Sequence, residues 1–561
     1  MKPTCRNVAK KGPMKNALAI VATCLLITGC RHTSPAPRTG IDLRQSIAEQ
    51  VAAGKRRIVV PAGDYRVAPV DGVHLTISGL KDCEVRLDGV RMICTETTRA
   101  LDVRRCENVT VRGLTIDYDP LPFTQFVITG LDEEKRQIEM RLPAGYEIND
   151  LVTHSDLGHL VVLDPAASKL KVIYGGPERV QKVGDRLYRY TKYDCYQYVP
   201  GRHTEKVGDV IVMNNHYAPN GRQNHAVLVG DSTNLTMADI TVHAAPMMAF
   251  FEGNCNGVTY RRCINDRCPP ADDYRPRGIR RMRSSGRDGF HLLGNRGKTV
   301  LDGCVSRFMD DDGVNIHGSG NPVVSIKGRI AVVGDKQRRL TVKVGDTVDL
   351  ISFAGVRLGQ AVIQSIGSGL EPTAEFKKLW QTHVHKTRLL PTRTWALELD
   401  REVPGAGPGT FLFAPARVGS NCVIRNCTFG YTRSRGIVLR ASQAVIENNT
   451  IEGNWDKGIM MTGDFLSLEG GFPSDVRIVG NTISSVRNEA IYAAFINPYG
   501  KPAPAGLYRN IAITDNTLSG TTTDLELTSI DGLKLAGNRY PDRDNPVVNI
   551  KNCTNLVMDG K

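Results

Sequence analysis

The sequence predicts an all-β fold: a right-handed parallel β-helix interrupted by two small inserted antiparallel, barrel-like domains. Three observations carry this expectation. The 561-residue chain is longer than one compact core supports, so it needs either several domains or a core that grows in one direction. Its composition is turn-rich and poor in aromatics, with 55 Gly, 23% charged and 6% aromatic residues, which suits ordered β structure better than helical or disordered chain. An imperfect repeat of about 22–35 residues, the period of a solenoid, runs through most of it.

The first element, residues 1–30, reads as a targeting segment rather than as part of the fold. Lys10, Lys11 and Lys15 precede an apolar run from Ala17 to Ile27 that is too short to span a bilayer. Met14 offers an alternative start. The small residues before Cys30 resemble a bacterial lipobox, so Cys30 is expected to carry lipid and anchor the protein to a membrane of the cell envelope; a cleaved secretory signal with a chance cysteine is the alternative. Ser34-Pro35-Ala36-Pro37 then reads as a tether, and a short capping helix is expected near Asp42–Ala53.

Coils are expected over 31–119, 225–320 and 418–561. Val423-Ile424-Arg425-Asn426-Cys427-Thr428-Phe429 and Val445-Ile446-Glu447-Asn448-Asn449-Thr450-Ile451 share one pattern: a β-branched run, a polar turn, a second run. Aligning such segments sets Cys263, Cys304, Cys427, Asn449, Asn481, Asn516 and Asn538 in one column. Stacked at a coil corner, asparagines hydrogen-bond to one another and to the turn backbone, and small cysteines fill the same space. Eleven cysteines follow Cys30, and on this reading they are structural thiols, not disulfides. The pattern breaks twice, over 120–224 and 321–417, where longer alternating runs such as Phe126–Thr129, Gln137–Met140, Val161–Leu163, Leu340–Val344 and Thr347–Ile351 predict the two inserted domains.

A second alignment carries chemistry. Asp288-Gly289-Phe290, Asp312-Gly313-Val314, Arg435-Gly436-Ile437, Lys457-Gly458-Ile459 and Glu489-Ala490-Ile491 place five ionisable residues in one column, on coils about 4.8 Å apart. A charge ladder at a solvated edge would look similar. Two features favour a site: the small residue after each charge is expected to leave room for a cleft, and the run Asp310-Asp311-Asp312 is more acidic than an edge position needs. Crowded carboxylates repel, so at least one pKa should rise, as a general acid requires. Glycoside hydrolysis needs such an acid and an ionised partner; Asp288 with Asp311 or Asp312 supplies them, and spacing alone leaves retaining and inverting chemistry open. His291, Asn315, His317, Arg435, Lys457 and Glu489 are the expected substrate-binding groups, with Trp455 available to stack on a sugar.

The motifs Met309-Asp310-Asp311-Asp312-Gly313-Val314-Asn315-Ile316-His317-Gly318 and Arg287-Asp288-Gly289-Phe290-His291 resemble the core of glycoside hydrolase family 110, bacterial exo-acting α-1,3-galactosidases. The resemblance implies an inverting hydrolase of terminal α-1,3-linked galactose, on blood-group-B-type and linear α-1,3-digalactosyl ends. By position it makes Asp288 the general acid and Asp311 and Asp312 the carboxylates that activate water. The partner implied is a galactose-terminated oligosaccharide or glycoconjugate, with no cofactor and no metal. The formal net charge of +14 is spread along the chain with no basic, aromatic-interleaved stripe, so no nucleic acid is expected. Two other readings stay open: a Ca²⁺-dependent β-helix polysaccharide lyase, with Asp311 and Asp312 on the ion, and a non-catalytic glycan-binding β-helix.

Overall fold

In the computed structural model, residues 42–148, 159–176, 179–192, 204–214, 224–334, 340–384, 390–391, 393–465 and 467–559 are described. Cys30 and the expected signal and tether lie outside them. No helix among the described residues is long and apolar enough to cross a membrane.

The chain is a right-handed parallel β-helix. A twenty-stranded sheet and a twelve-stranded sheet run along it, and their neighbours are coils in sequence order, paired in parallel except for the short antiparallel segment Glu469–Gly470. Val423, Val445 and Arg477 are successive register partners, as are Phe290, Val314, Ile437, Ile459 and Ile491. Alternation then sends Ile424, Ile446, Ile478 and Ile513 into one continuous apolar core. A helix, Leu43–Ala52, capped by the Asp42 side chain, lies at the N-terminal end with Leu43 and Ile47 buried.

The corner between strands explains the repeat's polar residue. The residue before each column member takes a left-handed conformation: Arg262, Gly303, Asn426, Asn448, Gly480, Asp515 and Gly537 all have φ between 52° and 67°. Gly, Asn and Asp tolerate that region, so they recur there. The column member then caps the turn. Asn449 Oδ1 accepts from the Cys427 N–H (2.9 Å), Asn481 Oδ1 from the Asn449 N–H (3.0 Å), and Asn516 Oδ1 from the Asn481 N–H (2.9 Å). Cys263, Cys304 and Cys427 occupy the same corner as buried thiols; all ten described cysteines are free.

Both interruptions leave the coils in register. Ile116 pairs with Val242 across the first, and Asn315 with Val438 across the second. Within the first, strands from Phe123–Asp132 to Val210–Asn214 form a seven-stranded antiparallel sheet. Within the second, six strands from Asn321–Lys327 to Phe411–Phe413 close into a barrel. Two details differ from the sequence reading. Leu340–Val344 is not a strand: the Asp346 carboxylate accepts from the Lys343 N–H (2.7 Å) and folds the segment into a turn. The same insert holds a helix, Ala374–His383, which the β pattern hid. Thr373 caps it, and Phe376 and Trp380 bury one face.

Candidate active site

Register places Asp288, Asp312, Arg435, Lys457 and Glu489 at one height on successive coils, as the alignment expects. The Gly289 N–H donates to Asp312 O, Gly313 to Arg435 O, Gly436 to Lys457 O and Gly458 to Glu489 O. The glycines, however, do not open a cleft. A Cβ on Gly289 would strike Ser306 Oγ, and one on Gly313, Gly436 or Gly458 would strike the carbonyl of the next coil. They are small because the coils close inward there, which corrects the cleft expectation.

The column divides into two halves. At its head, Asp288, Asp311 and Asp312 present oxygens all within 4.8 Å of one another. The Asp312 side chain is 1% exposed and held by both arms of Arg435, at 2.7 and 2.8 Å. Asp288 is 5% exposed; its Oδ2 lies 2.6 Å from His291 Nδ1, and its Oδ1 accepts from the Asp312 N–H at 3.3 Å. Asp311 is the most open of the three at 24%, with Arg287 and Arg433 at 3.5 and 3.4 Å. Asp310 faces away, bound by Arg283 (2.6 Å) and Asn214 (3.0 Å), and anchors the turn.

These surroundings drive the carboxyls apart. Burial first, with Asp311 and Asp312 adding repulsion against the pull of His291, lifts Asp288 to about 6. Burial also pushes Asp311 up, but the guanidinium groups of Arg433, Arg435 and Arg287 outweigh it and leave Asp311 below the ordinary carboxylate range. One carboxyl is held above the ordinary carboxylate range beside one held below it, the direction of separation that acid–base hydrolysis needs. Three such oxygens could also ligate a cation, yet the three guanidinium groups already balance Asp311 and Asp312, unlike the uncompensated carboxylates of a Ca²⁺ site.

At the foot of the column the charges satisfy one another. Lys457 reaches Asp456 (2.7 Å) and Glu489 (3.2 Å), with Asn488 on Asp456 (2.9 Å). Trp455 lies on the same edge, with Arg487 stacked 3.9 Å over its ring. Asn315 and His317 join the head instead. Asn315 Oδ1 accepts from Arg440 (2.9 Å), and His317 Nε2 sits 3.1 Å from His291 Nε2.

Several contributors lie outside the aligned column. Arg287 and Arg433 sit one and two residues from column members, so an alignment of whole turns would have found them. His159 and Asn214 come from the first insert. Burial and the charges of Arg433, Arg287 and Arg283 keep His159 below the ordinary imidazole range, with Asp310 opposing. Glu469 arrives on a short segment antiparallel to Gly318–Ser319 and meets Arg440 at 3.2 Å. No periodicity marks His159, Asn214 or Glu469.

The family comparison agrees with this architecture. A family model described as "Right handed beta helix region" matches residues 411–500. Alpha-1,3-galactosidase A of Bacteroides fragilis is 21% identical over 572 residues, covering 90% of this chain and 87% of the relative. Alpha-1,3-galactosidase B of Bacteroides thetaiotaomicron is 26% identical over 250 residues, covering 42% and 38%. Among solved structures, the Family 28 exopolygalacturonase of Yersinia enterocolitica matches with a TM-score of 0.39 and 10% identity, over 92% of this chain and 75% of that one. The named relatives support the resemblance to glycoside hydrolase family 110 read from the two aspartate motifs.

Proposed function

We propose that this protein is an exo-acting glycoside hydrolase that removes α-1,3-linked galactose from the non-reducing ends of glycans, blood-group-B-type and linear α-1,3-digalactosyl ends among them. The observation that carries the reading is the opposed charging of Asp288 and Asp311 within one cluster. The galactose specificity draws on the resemblance and on the names of the relatives.

In this reading Asp288 protonates the departing glycosidic oxygen, and Asp311 takes the proton of the attacking water. Asp311 is the principal base because it is the more open carboxylate, while Asp312 is buried and occupied by Arg435. Asp312 then orients the water and the Asp288 carboxyl through its backbone N–H. Inversion is the outcome the resemblance implies. Stereochemistry is therefore the sharpest test. The protein would meet its substrate at the bacterial cell envelope, tethered through lipidated Cys30.

The experiment is incubation with branched B-type and linear α-1,3-digalactosyl oligosaccharides, following the first anomer released by NMR. Initial β-galactose is expected. Initial α-galactose would replace the water-activating role of Asp311 with a nucleophilic one. Activity lost to a chelator, with an ultraviolet-absorbing unsaturated product, would support the lyase instead.

A further inference from the structure

The proposed acid is the first member of a chain of three contacts. Asp288 Oδ2 lies 2.6 Å from His291 Nδ1, His291 Nε2 lies 3.1 Å from His317 Nε2, and His317 Nδ1 lies 2.9 Å from the Gly318 carbonyl. His317 is 1% exposed. The His291 ring is fixed by stacking on Phe251 at 5.4 Å, and Phe251 stacks on His225 at 4.3 Å. Both neighbours in that stack are uncharged, since burial, with His291 and Arg99 adding to it, depresses His225 to about 3.

The protonation states follow from the chemistry of the donors. A carbonyl only accepts, so His317 Nδ1 carries a hydrogen. Two imidazole nitrogens in contact need one hydrogen between them, and so do His291 Nδ1 and the Asp288 carboxyl. Three contacts therefore need three hydrogens, one more than two neutral rings possess. The third is the acid proton. It can reside on Asp288, on His291 as an imidazolium, or on His317, and in each case every contact is made and the net charge is unchanged. Remove it, and each arrangement of the two remaining hydrogens leaves two acceptors in contact: the carboxylate and Nδ1, or the paired Nε2 atoms, or Nδ1 and the Gly318 carbonyl. Such a contact between buried acceptors is costly.

We propose that Asp288, His291 and His317 share one transferable proton, and that the two histidines are positioning residues that set the pH at which the acid loses it. The inference rests on the assignment of Asp288 as the general acid. Other groups that face the chain include Asp311 and Asp312 around Asp288, and Glu469, 4.0 Å from His317 Nε2 and held by Arg440. The Glu469 carboxylate favours the cationic forms and so also favours retention of the proton. When Asp288 gives its proton to the leaving oxygen, the chain is left one hydrogen short, and uptake of a proton from solvent restores all three contacts before the next turnover.

His317→Gln tests this, because a glutamine amide can donate to His291 Nε2 and so supply the missing hydrogen. The alkaline limb of kcat should then move down by about one pH unit. At pH 7, cleavage of an α-1,3-digalactoside, whose leaving group needs the proton, should fall about 10-fold, and a nitrophenyl α-galactoside, whose leaving group does not, far less. Equal losses on both substrates with an unmoved alkaline limb would overturn the proposal, since a structural role predicts that result. Nitrogen NMR of the histidine-labelled wild type is the second arm and needs no substrate. Both rings should report one shared titration, abolished in Asp288→Asn; independent titrations near the ordinary imidazole value of about 6.5 would overturn the shared proton. A wild type inactive on every α-galactoside would remove the proposed activity and leave the NMR result to decide the proton chain.

Discussion

Two columns run along this β-helix, each with one residue per coil, and they behave in opposite ways. The corner column of Cys263, Cys304, Cys427, Asn449, Asn481, Asn516 and Asn538 repeats one interaction. Each asparagine carbonyl caps the backbone of the coil before it, and its amide donates to backbone or to the next asparagine. The charged column of Asp288, Asp312, Arg435, Lys457 and Glu489 repeats only position. Its members are a raised acid, a carboxylate locked to an arginine, and then a self-satisfied group around Lys457. A column that does the same thing on every coil is holding the solenoid together. A column whose members differ has been divided between structure and chemistry, and here the chemistry gathers at one end.

Substitutions along both columns would sharpen or break that contrast. The largest effect is expected from Asp288→Asn, which keeps the shape and removes the acid: kcat on an unactivated galactoside should fall about a thousandfold with the melting temperature little changed. In the wild type, kcat/KM should decline as pH rises through about 6, because the acid role proposed for Asp288 needs its protonated form and burial raises its charging to about that value. A flat profile across that range would detach the acid role from Asp288.

Next is Arg435→Gln, which strands a buried carboxylate. The expected cost is about 3 kcal/mol in denaturant unfolding, and pairing it with Asp312→Asn should recover most of that stability without recovering activity. In the corner column, Asn481→Ala leaves the Asn449 N–H and the Ile446 carbonyl without their partner and should cost about 2 kcal/mol. Its kcat per folded molecule should stay near wild type; a loss as large as that of Asp288→Asn would mean that the corner also shapes the site. The smallest effect is expected from Lys457→Gln, with kcat within about threefold, since Asp456 and Glu489 already occupy the ammonium. A large rise in KM there would extend the substrate along the whole column.

The corner column was legible in the sequence because local backbone geometry imposes it. A left-handed residue is needed at every turn, few residue types adopt it, and the capping side chain follows immediately, so the requirement recurs with the coil. Position within the charged column was legible for the same reason. The glycines were misread because sequence shows that a side chain is absent and not which way it would have pointed. The Ala374–His383 helix was missed because its two buried residues, Phe376 and Trp380, are too few to outweigh the β pattern around them.

What the sequence determined by itself was the solenoid, its two interruptions, and the grouping of Asp288 with Asp311 and Asp312. Each follows from a repeat in which neighbours in space are one coil apart along the chain. The tertiary structure decided the rest: that Asp311 is open while Asp312 is held by Arg435, that His159 and Asn214 reach the cluster from an insert, and that His291 and His317 line up behind Asp288. Those are matters of direction and distance between side chains, and charge states depend on them more steeply than on residue type, because burial and a neighbour a few ångströms away set the balance between the charged and neutral forms.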